Sequence, residues 1–454
     1  MAHDELVPGG AQTISKFPTQ FPGAYPRSIV RGDGAYVWDD RGTRYVDWIC
    51  GLGAVGLGYR HAAVDAAVVG QVMRGPIFPL PNVELEARVA RKLVDIVPCA
   101  ESVRFVKTGS EATEAAVRVA RAYTGRDVVL TCGYHGWHSW CAATRDEHPG
   151  VPAALTYLAR PFAYNDLPSL DAAIAWAERP CPSGPFRSGV AAIILEPTLI
   201  EPPYRRACEC GQAECGPVSF LEDVRLRARE HGAVLIFDEM VTGFRWRRGG
   251  YQAAQSVVPD LATFGKALGN GYPIAALVGR ADIMQHARLV SGTFNGDCIG
   301  LAAADAVLDT YAQRDVCAHM RRLGRALIDG YNTIAAQTGA PTRMVGQPPH
   351  PKIEWDEEGV GSERGVPGAY EPARAYANRH RASLFYQEVV RRGHLLHPNG
   401  MNVMLAHGER DVVDFLAACG DAMLTVLSAV RNNRVRESIE GDPISPESPW
   451  RTTA

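Results

Sequence analysis

The chain has 454 residues, 46% of them hydrophobic and 21% charged, a composition ordinary for soluble proteins and a length that can bury a sizeable core. A formal net charge of −3 excludes the basic surface that nucleic acid or an anionic membrane would require of a partner. Residues 1–16 lack the basic-then-apolar order of a signal peptide, and no apolar run approaches the roughly 20 residues needed to span a bilayer. A cytoplasmic protein with no membrane partner is therefore expected, its 11 cysteines free thiols.

No internal repeat is visible. Residues 35–39 and 44–47 are rich in β-branched and aromatic side chains, and Asp40-Arg-Gly-Thr43 between them predicts a hairpin in a small sheet. Short apolar strands are then predicted over 102–107, 128–132, 190–196, 233–238, 261–264 and 274–278, alternating with helical stretches, which argues for an α/β sheet. Several of these runs are apolar throughout, as a parallel sheet covered on both faces requires. Ala112, Ala115, Ala116, Val119, Ala120 and Tyr123 recur at helical spacing over 110–124, with Glu111 and Glu114 early and Arg118 and Arg121 late, in the sense that suits a helix dipole. Near Tyr331 the pattern changes. Residues 347–370 are rich in Pro, Gly and charge and read as a loop, and 432–454 read as a polar, poorly packed tail.

Chemistry gathers at a few of these boundaries. Asp238 and Glu239 close an apolar strand, and strand ends in parallel sheets are where ligands bind. An Asp there can keep a pyridine nitrogen protonated, which makes the ring an electron sink. Lys266 stands among Gly265, Gly269 and Gly271 at the end of a short strand. A lysine that forms a Schiff base needs access and room to swing, which small neighbours permit; taken alone, the same lysine reads as a solvated surface residue. Thr108-Gly109-Ser110-Glu111-Ala112 turns from strand to helix. It reads equally as an anion site and as a plain N-cap in which Ser110 caps its own helix. Tyr134, in Gly133-Tyr134-His135-Gly136-Trp137, can stack on a flat ring, although a packing Tyr in a loop is the commoner case.

Together and in this order these segments are specific. With Gly34-Ala-Tyr-Val-Trp-Asp39, residues 103–112, Arg121-Ala-Tyr-Thr-Gly-Arg-Asp127, Tyr134-His-Gly136, Tyr164-Asn-Asp166, Glu196-Pro197, residues 237–245, Pro259-Asp-Leu261, Gly265-Lys266 and Gly292-Thr-Phe-Asn-Gly296, the chain resembles the class III aminotransferases of pyridoxal-phosphate (PLP) fold type I. Within them it is most similar to the glutamate-1-semialdehyde aminomutase group, over residues 8–424. The resemblance implies an α/β fold: a large PLP-binding domain with a mostly parallel seven-stranded sheet over 59–330, and a small α+β domain built from both chain ends, 1–58 and 331–430, with 431–454 as tail. It implies pyridoxal 5′-phosphate as cofactor. Lys266 carries it as a Schiff base and moves protons, and Asp238 pairs with the pyridine nitrogen. Met240 and Tyr134 cover the two ring faces, and Gly109 and Ser110 hold the phosphate. Thr293 reaches the phosphate in the neighbouring subunit of a homodimer, while Glu111, Glu239 and Arg245 frame the site.

Departures from the family pattern bear on substrate. Leu199 replaces a Gln that touches the cofactor's phenolic oxygen. Glu201 matches a glutamate that masks a substrate-binding Arg in ω-aminotransferases, yet that Arg is not evident in residues 397–407. Asn399 stands where the aminomutases carry Glu, and Gly51-Leu52-Gly53 replaces a usual Trp. Arg205 or Arg206 is a candidate for an acidic substrate, set against a solvated loop as the commoner reading. Cys208, Cys210 and Cys215 do not space like a zinc ribbon or finger, so no metal is expected. The expected activity is transfer of an amino group between an amine or amino-acid donor and an aldehyde or ketone. The alternatives are an intramolecular aminomutase, a racemase or decarboxylase on the same scaffold, and, from another class, a non-catalytic binding protein.

Overall fold

The computed structural model describes residues 6–145, 149–179, 186–198, 200–208, 217–255, 257–355 and 372–444, with 372–378 as backbone only. It divides into two compact units, one formed by the described residues up to His61 and from Ala318 onward, the other by Ala62–Cys317.

In chain order the first unit opens with β1 (Ile29–Asp33), β2 (Tyr36–Asp39) and β3 (Arg44–Asp47), the last two forming the expected hairpin. Asp39 ties the turn, its Oδ1 accepting the backbone N–H groups of Arg41 and Thr43 at 3.0 and 2.7 Å. The Gly51-Leu52-Gly53 run that follows is a left-handed turn. Cys50, Gly51, Leu52 and Gly53 have φ of 53°, 59°, 60° and 83°, a conformation that two glycines make accessible.

The second unit holds β4 (Ser102–Val106), β5 (Val128–Cys132), β6 (Ala159–Pro161), β7 (Val190–Leu195), β8 (Arg205–Arg206), β9 (Val218–Ser219), β10 (Val234–Asp238), β11 (Leu261–Phe264) and β12 (Ala275–Gly279). Seven of them form one sheet in the order β4-β12-β11-β10-β7-β5-β6. Strands β5, β6, β7, β10 and β11 run parallel, while β12 is antiparallel to both β11 and β4, so a single strand opposes the rest. Every residue of β5, β7, β10, β11 and β12 is buried, because helices cover both faces. The helix Gly109–Thr124 lies on one face. Its Ala115, Ala116, Val119 and Ala120 join Val129, Ile194, Ile236 and Leu277 in one core cluster, at roughly 25 cal/mol for each Å² of apolar surface removed from water. The parallel strands therefore end along one edge, where residues 108–110, 133–137, 196, 238 and 265–266 come together.

The chain then returns to the first unit with β13 (Thr342–Gln347), β14 (His350–Trp355) and β15 (His394–Leu395). β15 adds parallel to β3 and closes a four-stranded sheet. Two expectations are corrected here. Of the stretch 347–370 expected as loop, residues 350–355 are strand: β14 forms a hairpin with β13, Pro351 opposite Gly346, while residues 356–370 lie outside the described residues. Residues 432–444 are also packed, not loose. Gln387 donates to Ser438 O at 2.8 Å and accepts Glu440 N at 2.7 Å, Ser383 Oγ accepts Ile444 N at 2.9 Å, and Ile439 is buried.

The helix Glu409–Arg431 is long and apolar enough to cross a bilayer by length and composition, contrary to the expectation that no run approaches that limit. Its apolar face instead carries Val412, Phe415, Cys419, Met423 and Val426 into the core of its own unit, where Trp48 stacks on His407 at 4.0 Å and meets Phe415 at 5.2 Å.

Candidate active site

At the end of β10, Asp238 is buried and all its hydrogen bonds come from the strand-end elements. His135 Nδ1 lies 2.8 Å from Oδ2, and Oδ1 accepts Met240 N and Thr263 Oγ1, each at 3.1 Å. Three partners fix the orientation of the buried carboxylate. His135 itself is buried. Its Nε2 has no hydrogen-bond partner, and its ring lies parallel to Trp140 at 6.2 Å.

Lys266 follows β11. Its φ of 47° puts a non-glycine residue in the left-handed region, a strain of about 1–2 kcal/mol that fixes where the side chain leaves the backbone. Part of the side chain is accessible, while the amine is enclosed by protein. Burial holds the amine below the usual lysine range, against the pull of Glu196 and Asp238 and with help from Arg245. The sequence contains five lysines. Three of the others pair with carboxylates: Lys92 with Asp305 and Asp309, Lys107 with Asp297, and Lys352 with Glu354. Lys16 is exposed in a short helical turn. Lys266 combines enclosure with a lowered pKa, conditions that favour the neutral, nucleophilic amine.

Glu196, just past β7, accepts Tyr134 N at 2.8 Å. Burial first, then repulsion from Asp238, raises its carboxyl above the ordinary range. Tyr134 is 39% exposed, with the Arg145 guanidinium 5.4 Å from its ring centre, and burial pushes its phenol up to about 12. Met240 reaches between two glycines: a Cβ at Gly109 would meet its Sδ at 3.0 Å and one at Gly265 at 2.8 Å.

The turn at 108–110 settles which residue caps the helix. The helix Gly109–Thr124 is capped by Thr108, not Ser110. Thr108 Oγ1 accepts Glu111 N at 3.2 Å, and Glu111 Oε2 accepts Thr108 N at 2.8 Å, a complete capping box. Ser110 Oγ instead accepts Trp137 N at 3.3 Å. The hydroxyl thus stands beside the first-turn N–H groups at the positive end of the helix, where an anion binds. Gly136, at φ 102°, lets the aromatic turn approach it, since a Cβ there would sit 2.3 Å from Ser110 Oγ.

Glu239 is buried and fully engaged with Thr242, Tyr251 N and Gln252 N, which marks it as framework. Thr293 is exposed on the segment before the helix Cys298–Gln313. Glu201 is exposed, its carbonyl accepting Thr198 Oγ1 at 3.3 Å. Residues 205–206 are not a plain loop, because β8 pairs with β9. Arg206 is held by Asp223 at 3.0 and 2.6 Å, whereas Arg205 is exposed and reaches Gln255 at 3.3 Å. Asn399 belongs to the other unit, in a turn where its N–H donates to His397 Nδ1 at 3.0 Å. Leu199, Cys210 and Cys215 lie outside the described residues. Cys208 forms no disulfide among the described residues, and among them no three His, Cys, Asp or Glu side chains cluster as metal ligands. His135 and Thr263, which orient Asp238, and Glu196, which holds the Tyr134 backbone, were not singled out by sequence. His135 and Glu196 do lie inside the Tyr134-His-Gly136 and Glu196-Pro197 segments.

These residues fit pyridoxal phosphate: an enclosed amine for its aldehyde, a buried carboxylate for its ring nitrogen, and a hydroxyl and helix N-terminus for its phosphate. Comparison with known proteins agrees. The family model Aminotransferase class-III matches residues 22–347. The 3-aminobutyryl-CoA aminotransferase of Cloacimonas acidaminovorans (strain Evry) is 35% identical over 361 residues, covering 79% of this chain and 82% of that protein. The glutamate-1-semialdehyde 2,1-aminomutase of Syntrophobacter fumaroxidans is 33% identical over 447 residues, covering 93% and 95%. Among solved structures, the FumI protein of Sphingopyxis sp. MTA144, in its PLP internal aldimine form, superposes with a TM-score of 0.79 at 26% identity, covering 94% and 95%.

Proposed function

The chain belongs to the class III aminotransferases, PLP-dependent enzymes of fold type I, and from that premise we propose that it moves an amino group between two separate molecules, with Lys266 as the covalent and proton-transferring residue. The observation that carries the reading is the enclosed Lys266 amine, lowered in pKa, at the strand edge that also holds the Asp238–His135 pair. The bound cofactor supplies an electron sink for the carbon that loses or gains the amine. Asp238, oriented by His135 and Thr263, keeps the ring nitrogen protonated. Tyr134 and Met240 hold the ring's two faces, and Gly109 and Ser110 take the phosphate. Lys266 would move the proton at the substrate carbon, and burial, which lowers its pKa, favours the neutral amine that this role needs.

The active unit in this reading is a homodimer in which Thr293 serves the other subunit's phosphate. A run of exposed apolar side chains supports it: Val69, Val72, Met73, Phe78, Leu80 and Val83 line one segment, with Phe294 beside Thr293 also exposed. The eight described cysteines form no disulfide with one another, in keeping with a reducing cytoplasmic setting.

Substrate recognition is assigned to Glu201 and Arg205. Arg206 is committed to Asp223, which leaves Arg205 as the cation for an acidic group. Without the family's carboxylate-binding Arg, a donor whose amine is not next to a carboxylate fits best, as in the β-amino thioester named for the Cloacimonas relative. The second reading, an intramolecular aminomutase, is favoured by the 33% identity to the Syntrophobacter protein over nearly the whole chain.

A half-reaction screen decides. The PLP form is mixed with single amines, and conversion to the pyridoxamine form is followed by absorbance. Conversion by β- or ω-amines with release of the matching carbonyl compound supports intermolecular transfer. Turnover of glutamate-1-semialdehyde to 5-aminolevulinate without any second substrate would establish the aminomutase instead.

A further inference from the structure

The segment that carries Thr293 is bolted to a single strand at both ends. At its start, Arg104 of β4 donates to Val290 O from Nε at 3.0 Å and from its terminal nitrogen as well. At its end, the Lys107 ammonium contacts the Asp297 carboxylate, an ion pair whose side chains are only 20% and 11% exposed. Asp297 is also the N-cap of the helix Cys298–Gln313, its Oδ1 accepting Gly300 N at 3.0 Å. Between these anchors the backbone folds on itself through Asn295 N to Gly292 O at 3.1 Å and Asp297 N to Phe294 O at 3.2 Å. Gly296, at φ 75°, lets Glu86 approach from the side. The outcome is an exposed crest, residues 291–294, on a rigid base. Lys107 also directly precedes Thr108-Gly109-Ser110, and its own N–H donates to Glu111 at 2.9 Å.

We propose that Arg104 and Lys107 are positioning residues for Thr293, so that β4 aligns phosphate contacts for both active sites of a dimer: its own through Gly109 and Ser110, and its partner's through the Val290–Asp297 crest. The proposal rests on the reading that Thr293 serves the partner's cofactor. The Lys107–Asp297 pair is the element that ties the two together. A partly buried ion pair with a hydrogen-bonded acid holds its geometry, whereas loss of one partner leaves the other charge uncompensated and the crest free to shift.

The test measures PLP affinity by titrating the apoenzyme and reading the visible band of cofactor linked to Lys266, which is independent of turnover. Lys107→Met is expected to weaken PLP binding about tenfold, the size of one lost charge-assisted contact. Asp297→Asn, which removes the charge but retains a side-chain oxygen to cap Gly300, is expected to do the same and covers the case in which Lys107→Met fails to fold. Heterodimers, purified through two different tags, then locate the effect. When a Lys107→Met chain is joined to a Lys266→Ala chain, the only lysine able to hold the cofactor receives its phosphate contact from the intact crest of the other chain. Wild-type affinity is expected to return. Persistent weakness in that heterodimer, while Thr293→Ala joined to Lys266→Ala recovers, would overturn the proposal and leave the Thr293 reading standing. Persistent weakness of the Thr293→Ala heterodimer would instead overturn that reading. Wild-type affinity in both the Lys107→Met and the Asp297→Asn homodimers would overturn the proposal directly.

Discussion

Replacing Gly136 with Ala tests the phosphate turn without touching a group assigned to chemistry. A methyl at this position would stand 2.3 Å from Ser110 Oγ and 2.8 Å from Ser110 Cβ, while ordinary contact begins near 3.4 Å. Either the aromatic turn or the first turn of the helix Gly109–Thr124 must therefore move by about 1 Å. The left-handed backbone adds a separate cost of about 1–2 kcal/mol for any residue with a Cβ. Gly42 supplies the control, because its φ of 83° carries the same strain with nothing within 4 Å of an added methyl. Gly42→Ala should lose about 1–2 kcal/mol of apoenzyme stability in urea titrations, and Gly136→Ala more, because the displacement adds to the backbone cost. Gly136→Ala alone should also lose the Ser110 contact, weakening PLP by about ten- to a hundredfold in a fluorescence titration of the apoenzyme. Wild-type PLP affinity in Gly136→Ala, with a stability loss exceeding that of Gly42→Ala, would show that Ser110 does not hold the phosphate.

His135→Phe leaves one oxygen of a buried carboxylate without its donor, at a cost of about 1.5–3 kcal/mol, so kcat should fall about ten- to a hundredfold with KM little changed; an unchanged kcat would remove His135 from the account. Lys266 has a folded-state pKa below the ordinary value of 10.5, so the unfolded chain binds more protons and this residue destabilises the apoenzyme at neutral pH. Lys266→Met should accordingly raise the apoenzyme's melting temperature near pH 7, and the gain should shrink as pH climbs toward 10.5; a gain that grows with pH would contradict the sign. Arg205→Ala should raise KM for acidic substrates at unchanged stability, while Arg206→Ala should lower stability by stripping Asp223 of its partner, as thermal melts and steady-state kinetics would separate. Elemental analysis of purified protein should find no stoichiometric zinc, and one zinc per chain would place Cys208, Cys210 and Cys215 in a metal site.

The sheet was largely legible because its physics is local. A strand buried on both faces must be apolar throughout, and 128–132 and 261–264 fall on β5 and β11 to the residue. What escaped were strands whose pairing depends on neighbours elsewhere. β6 is a three-residue edge strand of Ala, Arg and Pro, β8 and β9 are two residues each, and β14 falls in the Pro-, Gly- and charge-rich stretch that reads as loop. The same divide runs through the site. Lys266, Asp238 and Ser110 sit at strand ends or helix starts, which sequence patterns mark. His135 meets Asp238 across 103 residues, and Thr263 meets it across 25, so only folding shows that they orient it. Substrate contacts were the least legible. Arg205 and Arg206 are adjacent and alike in sequence, and only the bond to Asp223 tells them apart.

The central claim is that Lys266 holds the cofactor, and it meets its most direct test in reductive trapping. Sodium borohydride fixes PLP to whichever amine carries it, and digestion with mass spectrometry then locates the added group. With five lysines in the chain, the assignment is unambiguous. The phosphopyridoxyl group should be found on Lys266, in the peptide that spans residues 249–280, and trapping there should vanish in Lys266→Ala. Stoichiometric modification of Lys16, Lys92, Lys107 or Lys352 instead, or none at all in protein that binds PLP, would contradict the account.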